Sequence, residues 1–252
     1  LRALLKTYQD VAIAYSGGCD SHFLYQVAVE TLGHEHVLAV LCVGDMMSKE
    51  DITEAKSLIK DGRYKVVHVD VFDNEAFLHN RKDRCYFCKK MIMTKVIEQA
   101  QCHHIEYVLD GKNSDDESVY RPGIRACQEL GIISPLSEVG MTKKMIRHYS
   151  QYLGISTYAK PANACLASRF PYDTLLTKEK LDRVSQAEAL LHQKGIYHVR
   201  VRVHDKLARI EVEKKYFKIL LNDKQLIDDF ERLGFDYVTL DLKGITSGSY
   251  DR

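Results

Sequence analysis

The chain has 252 residues, with 36 Lys plus Arg against 35 Asp plus Glu, 11 His, 7 Cys and no Trp. A formal charge of +1 excludes a global attraction to nucleic acid or anionic membrane and leaves room only for a local basic patch. With 45% hydrophobic residues and 4 Pro it carries an ordinary core, and no apolar run approaches the roughly 20 residues of a membrane helix.

Val11 to Tyr15 has a buried-strand pattern, and Asp20 to Leu32 sets Phe23, Leu24, Val27 and Ala28 on one helical face. Val37 to Val43 is a second strand, Glu50 to Lys60 a polar-faced helix and Lys65 to Val71 a third strand. Arg84 to Cys102 is a long helix and Ile105 to Leu109 a fourth strand. After a polar loop come a short helix near Gly123 to Leu130 and another opened by Thr142 as N-cap, which stops before Gly154. Strands alternating with helices predict a doubly wound α/β fold, a parallel sheet covered on both faces.

From Thr177 the pattern changes. A helix to Lys194 precedes strands at Tyr197 to His204 and Leu207 to Glu213, paired across a short turn. A helix at Lys215 to Leu233 and a strand at Tyr237 to Leu242 follow. Arg200, Arg202 and His204 alternate with Val199, Val201 and Val203, so one face of this strand is basic and the other apolar. The irregular stretch from Lys160 to Thr174 is the expected boundary between residues 1–165 and a smaller α/β domain over 166–252.

Ser16-Gly17-Gly18-Cys19-Asp20-Ser21 lies between the first strand and its helix. Glycines there let backbone N–H groups point at an anion, and the helix N-terminus adds positive dipole. The Ser16 and Ser21 hydroxyls supply further donors, and Asp20 either caps the helix or holds Mg²⁺. No Lys stands in this loop, which excludes the Walker A pattern. Ser-Gly-Gly-x-Asp-Ser instead resembles the PP-loop ATP pyrophosphatases, which bind the pyrophosphate of ATP here and transfer AMP to a substrate oxygen. Asp110, Asn113 and Asp116 form a polar cluster after a strand, where a doubly wound sheet places its ligand crevice, and Gly111 would let the chain approach the nucleotide.

Seven Cys is an odd number and too few for a disulfide scaffold at this length, so a reduced, cytoplasmic setting is expected. The N-terminal stretch is amphipathic and does not read as a signal peptide. Cys85 and Cys88 open a helix at a spacing that reaches one metal or cluster, although two unrelated helix cysteines have the same spacing. Cys165 lies in an irregular segment bounded by Pro161 and Pro171, where Arg169 favours a thiolate. Cys19, Cys42, Cys102 and Cys127 fall within or beside apolar patterns and read as core or incidental.

These motifs occur in one order with Arg84-Cys-Tyr-Phe-Cys-Lys89, Asp110-Gly-Lys-Asn-Ser-Asp115-Asp116, Arg121-Pro-Gly123 and Ser134-Pro-Leu136. Ala164-Cys-Leu-Ala-Ser-Arg-Phe-Pro-Tyr172, Val199-Arg-Val-Arg-Val-His204 and Ala208-Arg-Ile-Glu-Val212 follow. Over essentially its whole length the chain resembles the LarE family, ATP-dependent sulfur transferases that act in making the nickel-pincer nucleotide cofactor of lactate racemase. The resemblance implies adenylation of a carboxylate of a pyridinium biscarboxylate mononucleotide, then displacement of AMP by sulfur. It assigns Arg200 and Arg202 to an anion near the sulfur-donating Cys165, and Arg169 could serve the same anion.

The sulfur source divides this family. In one branch the Cys matching Cys165 is sacrificed to dehydroalanine. In the other, cysteines matching Cys85, Cys88 and Cys165 carry a [4Fe-4S] cluster whose fourth iron binds hydrosulfide, and this chain has all three. A homo-oligomer that engages neither membrane nor nucleic acid is also expected. The chain departs from the family pattern at Val119 and Asp205, where Asp and Gly are usual, and at Gly44 to Met47, where a Pro-containing segment lines the adenine pocket. Rival readings are a PP-loop tRNA thiolase, which should carry a basic tract, and a non-catalytic iron–sulfur or zinc module.

Overall fold

The computed structural model describes residues 1–59, 62–118, 122–161 and 164–246. Val119 and Arg121 lie outside the described residues, as does Lys60, the expected end of a helix. Contact density divides the chain into two units. The first comprises Leu1–Gly44, Asp51–Asn74 and Asp83–Asn163; the second comprises Asp45–Glu50, Glu75–Lys82 and Ala164–Arg252. The dividing line therefore falls before Cys165, and two short segments from the first half of the sequence join the second unit.

The first unit is built on β1 (Val11–Tyr15), β2 (Val37–Val43), β3 (Tyr64–His68) and β4 (Tyr107–Leu109). All pairings are parallel, in the order β3-β2-β1-β4, with Ile13 opposite both Ala39 and Leu109. Every residue of β2 is buried, which explains its unbroken apolar run. The Cys19–Leu32 helix adds Phe23, Leu24, Val27 and Ala28 to the same core. After β1 the chain proceeds to β2 and β3 on one side and returns to place β4 on the other. The loops after β1 and β4 therefore flank the point where strand order reverses, the usual ligand crevice of a doubly wound sheet.

The third strand ends at His68, not Val71. The Asp70 carboxylate accepts the Phe72 N–H at 3.1 Å and starts a 3-10 turn at Val71–Asp73. Thr142 caps the Lys143–Tyr152 helix as expected, its hydroxyl accepting from Met145 N.

The second unit has a three-stranded sheet, β5 (Val199–His204), β6 (Leu207–Val212) and β7 (Tyr237–Leu240). β5 and β6 are antiparallel with Arg202 opposite Arg209, and β6 pairs with β7 in parallel. The Lys178–Gln193 helix packs against β5 and buries Leu181, Val184, Ala187 and Leu191. Asp205 has φ 55° in the two-residue turn between β5 and β6. A left-handed turn position explains why a Gly also suits it, and Asp is among the few other residues that adopt this conformation readily.

The single helix expected over Lys215 to Leu233 is two helices, Phe217–Asn222 and Leu226–Arg232. Asp223 separates them, its carboxylate accepting the Gln225 N–H at 3.0 Å in a local turn. Among the described residues no helix is long and apolar enough to cross a membrane.

Candidate active site

The loop after β1 bends at Gly17, which has φ 69°. A Cβ there would stand 2.6 Å from Ala55 Cβ, so both the conformation and the space require glycine. Gly18 takes the N-cap position of the following helix without a side-chain cap, and Asp20 falls in the first turn. The two serines brace the loop: Ser16 Oγ and Ser21 Oγ lie 3.0 Å apart, and Ser16 N donates to Ser21 Oγ at 3.2 Å.

Asp20 is paired with an ammonium group. Lys143 Nζ lies 2.6 Å from Oδ2, whereas Oδ1 is buried without a hydrogen-bond partner among the described residues. An orphaned carboxylate oxygen beside an anion-binding loop suits a divalent cation, so these residues fit Mg²⁺.

The loop after β4 closes the other side. Gly111 meets the helix backbone directly: a Cβ would be 2.9 Å from Ser21 N and 3.0 Å from Ser21 Cα. The close approach is thus to the glycine loop itself. Asp110 is buried and accepts from Lys112 N at 3.1 Å and Ser134 Oγ at 2.8 Å. Asn113 is buried too, with Oδ1 accepting from Asp115 N at 3.0 Å, and its own N–H donates to Asp116 Oδ2 at 3.3 Å. Between the loops lies a cavity of about 300 Å³ lined by Ser16, Gly18, Asp20, Ser21, Gly111 and Asp116, with Lys89 and Lys112 also on its wall.

Sequence reasoning left Lys112 and Lys143 without roles. Lys112 could have been found from its place inside the Asp110–Asp116 cluster. Lys143 lies 123 residues from Asp20 and follows an ordinary N-cap, with no local signal of its function.

The cysteines differ by surroundings. Burial pushes the Cys42 and Cys127 thiols up to about 11 and also raises Cys19. Cys85 is exposed in the first turn of the Arg84–Cys102 helix, and Cys88 is half-buried one turn on. Cys165 is half-buried. Cys102 is exposed rather than in the core, but roughly 25 Å along the helix from Cys85. No His, Cys, Asp and Glu group able to hold a metal forms among the described residues.

In the second unit Cys165 precedes the 3-10 turn Leu166–Arg169. Arg169 turns back on this segment, its Nη1 donating to the carbonyls of Ala164 at 2.9 Å and Cys165 at 3.3 Å, and to Ser168 Oγ at 3.0 Å. Its Nε and Nη2 form a two-point pair with buried Glu188 at 2.8 and 2.9 Å, and Glu188 Oε1 also accepts from Val201 N at 2.9 Å. Arg202 is 5% exposed and donates Nη1 to the Ser168 carbonyl at 2.6 Å and Nε to buried Glu211 at 3.1 Å. The Met46 carbonyl accepts from Leu166 N at 3.1 Å, so the segment that departs from the family pattern braces Cys165's neighbour within this unit.

The basic face of β5 is therefore a partly buried network. The guanidinium groups of Arg169, Arg202 and Arg209 meet the carboxylates of Glu188, Glu211 and Asp241, the last 3.6 Å from Arg209. Burial, and then the neighbouring Arg169, lower the Arg200 pKa to about 10. Arg200 is half-buried and donates to its own carbonyl-bearing neighbour Val199 at 2.7 Å.

Comparison with known proteins gives the following. A family model described as NAD synthase matches residues 5–85. The chain is 38% identical to an uncharacterised protein of Synechocystis sp., over 100% of this chain and 96% of that one. It is 36% identical to the pyridinium-3,5-bisthiocarboxylic acid mononucleotide synthase of Lactiplantibacillus plantarum, over 98% and 91%. An uncharacterised protein of Methanocaldococcus jannaschii is 30% identical over 92% and 89%.

Proposed function

The chain belongs to the LarE family of pyridinium-3,5-bisthiocarboxylic acid mononucleotide synthases, and from that premise we propose that it adenylates a carboxylate of pyridinium-3,5-biscarboxylic acid mononucleotide and converts it to a thiocarboxylate. The observation that carries this reading is the cavity at Ser16, Gly18, Asp20 and Ser21, on a chain matching that synthase over 98% of its length.

A carboxylate is a poor acylating agent because oxide is a bad leaving group. Its oxygen attacks the α-phosphorus of ATP, pyrophosphate leaves, and the acyl-adenylate can then lose AMP to sulfur. The glycine loop would take the pyrophosphate through backbone N–H groups, with Ser16 and Ser21 adding hydroxyl donors. Mg²⁺ would be held by Asp20 and would spread the phosphate charge as pyrophosphate departs. Gly111 and Asn113 would shape the nucleotide's side of the crevice. Arg200 and Arg202 would bind the anionic substrate, with Arg169 ordering the segment around Cys165. In this division ATP is activated in the first unit, and the second unit, which contains Cys165, holds the substrate.

For the sulfur source the favoured reading is a [4Fe-4S] cluster on Cys85, Cys88 and Cys165. Exposure supports that reading: these three thiols are exposed or half-buried, whereas Cys19, Cys42 and Cys127 are buried. When bound, such a cluster would present sulfide from its open iron. The alternative is sacrifice of Cys165 to dehydroalanine.

Substrate-dependent release of pyrophosphate together with an oxygen-for-sulfur mass change in the product tests the function. Failure of either sinks it. Iron and sulfide analysis after anaerobic purification, repeated on Cys88→Ala, separates the sulfur sources. A metal-free protein that loses H₂S from Cys165 on turnover would establish sacrifice.

A further inference from the structure

The glycine loop has no lysine of its own, yet an ammonium group reaches it from 143 residues along the chain. Lys160 Nζ lies 3.2 Å from the Gly17 carbonyl oxygen and 2.8 Å from Glu54 Oε2, on a side chain only 13% exposed. Its backbone is anchored as well. Arg147 donates Nη1 to the Tyr158 carbonyl at 2.9 Å and Nη2 to the Lys160 carbonyl at 2.8 Å.

The Gly17 carbonyl and the Gly18 N–H are the two ends of one planar peptide. A cation at the oxygen end fixes which way that plane faces and draws density from the N–H, making it a stronger donor. Gly18 lines the cavity, and among the described residues its N–H makes one long contact, of 3.4 Å, to Ser16 Oγ. The bond is spare for a better acceptor. Gly17, with φ 69° and no side chain, would otherwise let this peptide rotate.

We infer that Lys160 is a positioning residue for ATP: it holds the Gly17–Gly18 peptide with its N–H toward the pyrophosphate and strengthens that donor from behind. In a Walker A loop the lysine touches phosphate. Here the cation acts through the backbone, and the loop keeps its donor when the nucleotide leaves. The inference rests on the reading that this loop takes ATP.

Calorimetric titration of the full chain with inorganic pyrophosphate and with Mg²⁺–ATP tests it, using wild type, Lys160→Met, Lys160→Arg and Glu54→Gln. Lys160→Met is expected to weaken pyrophosphate about tenfold, as loss of one charge-assisted bond would. Lys160→Arg should restore most of it, and Glu54→Gln, which leaves the Gly17 contact, should keep wild-type affinity. Wild-type affinity in a folded Lys160→Met overturns the inference, as does an equal loss in Glu54→Gln. Where Lys160→Met does not fold, Glu54→Gln and Lys160→Arg decide: retained affinity supports the role, and a tenfold loss in both contradicts it. A wild-type chain that binds neither ligand overturns the ATP reading itself, and this inference with it.

Discussion

Lys143 Nζ lies 2.6 Å from Asp20 Oδ2, so the carboxylate assigned to a divalent cation is already held by an ammonium group. A metal entering here must displace that lysine or share the carboxylate with it. The two residues should then respond in opposite directions. Lys143→Met is expected to tighten the binding of Mg²⁺ alone, because a competing cation is gone. Asp20→Asn should weaken Mg²⁺ and lower pyrophosphate release at least about a hundredfold. The pair is partly exposed, 30% and 23%, and contributes under about 1 kcal/mol, so Tm should barely move in either variant. Calorimetry with Mg²⁺ reads the opposite signs; unchanged or tighter Mg²⁺ binding in Asp20→Asn would remove Asp20 as a ligand.

Gly111 stands against the backbone of Ser21, and a backbone cannot swing aside as a side chain can. Gly111→Ala is expected to cost roughly 1–3 kcal/mol, since its Cβ would meet Ser21 N at 2.9 Å. The strain falls on the glycine loop, so ATP affinity should drop with Tm. A variant with unchanged Tm and ATP affinity would show that the two loops yield easily.

The thiols should separate into two classes in the native protein. Cys42 and Cys127, pushed up to about 11 by burial, and Cys19, raised by the same cause, should resist alkylation at pH 8. Cys85 and Cys102 are exposed and should label readily, with half-buried Cys88 and Cys165 next. Peptide mass spectrometry before and after denaturation reads this order. Rapid labelling of Cys42 or Cys127 in the native chain would contradict the burial described.

Much of this organisation is legible in the sequence because local pattern and final burial agree. β1, β2 and the Arg84–Cys102 helix have the bounds their periodicity predicts. The pattern fails where one side chain redirects the backbone: Asp70 ends β3 early, and Asp223 splits a helix. The glycine loop is legible because its chemistry is contiguous. Lys143, Lys160 and Glu188 are not, since each looks like a solvated helix or loop charge and gains its role from a partner far along the chain. The β5 arginines illustrate both limits. Their alternation is plain, but only the fold commits Arg202 to the Ser168 carbonyl and to Glu211.

Acid should weaken the first unit through one imidazole. His22 is buried against Tyr15, with Nδ1 2.9 Å from the phenol oxygen, and burial together with Lys160 lowers its pKa from 6.5 to about 4. Because the folded value lies below the unfolded one, its neutral form stabilises the fold above pH 6.5. That contribution is lost as pH falls toward 4. At pH 4.5 the loss through His22 is about 2 kcal/mol relative to neutral pH. Urea unfolding of wild type and His22→Gln at pH 7 and pH 4.5 should show a smaller acid penalty in the variant. Equal penalties would remove His22 as the cause.

The central claim is that the cavity between the β1 and β4 loops activates a carboxylate by adenylation. The most direct measurement supplies the nucleotide substrate with isotopically labelled carboxylate oxygen, together with ATP, Mg²⁺ and sulfide, and follows the label by mass spectrometry. Attack by the carboxylate on the α-phosphorus requires one labelled oxygen to appear in AMP, with sulfur in its place in the product and none in pyrophosphate. Thiocarboxylate formed with label in phosphate or pyrophosphate, or with no label in AMP, would contradict it.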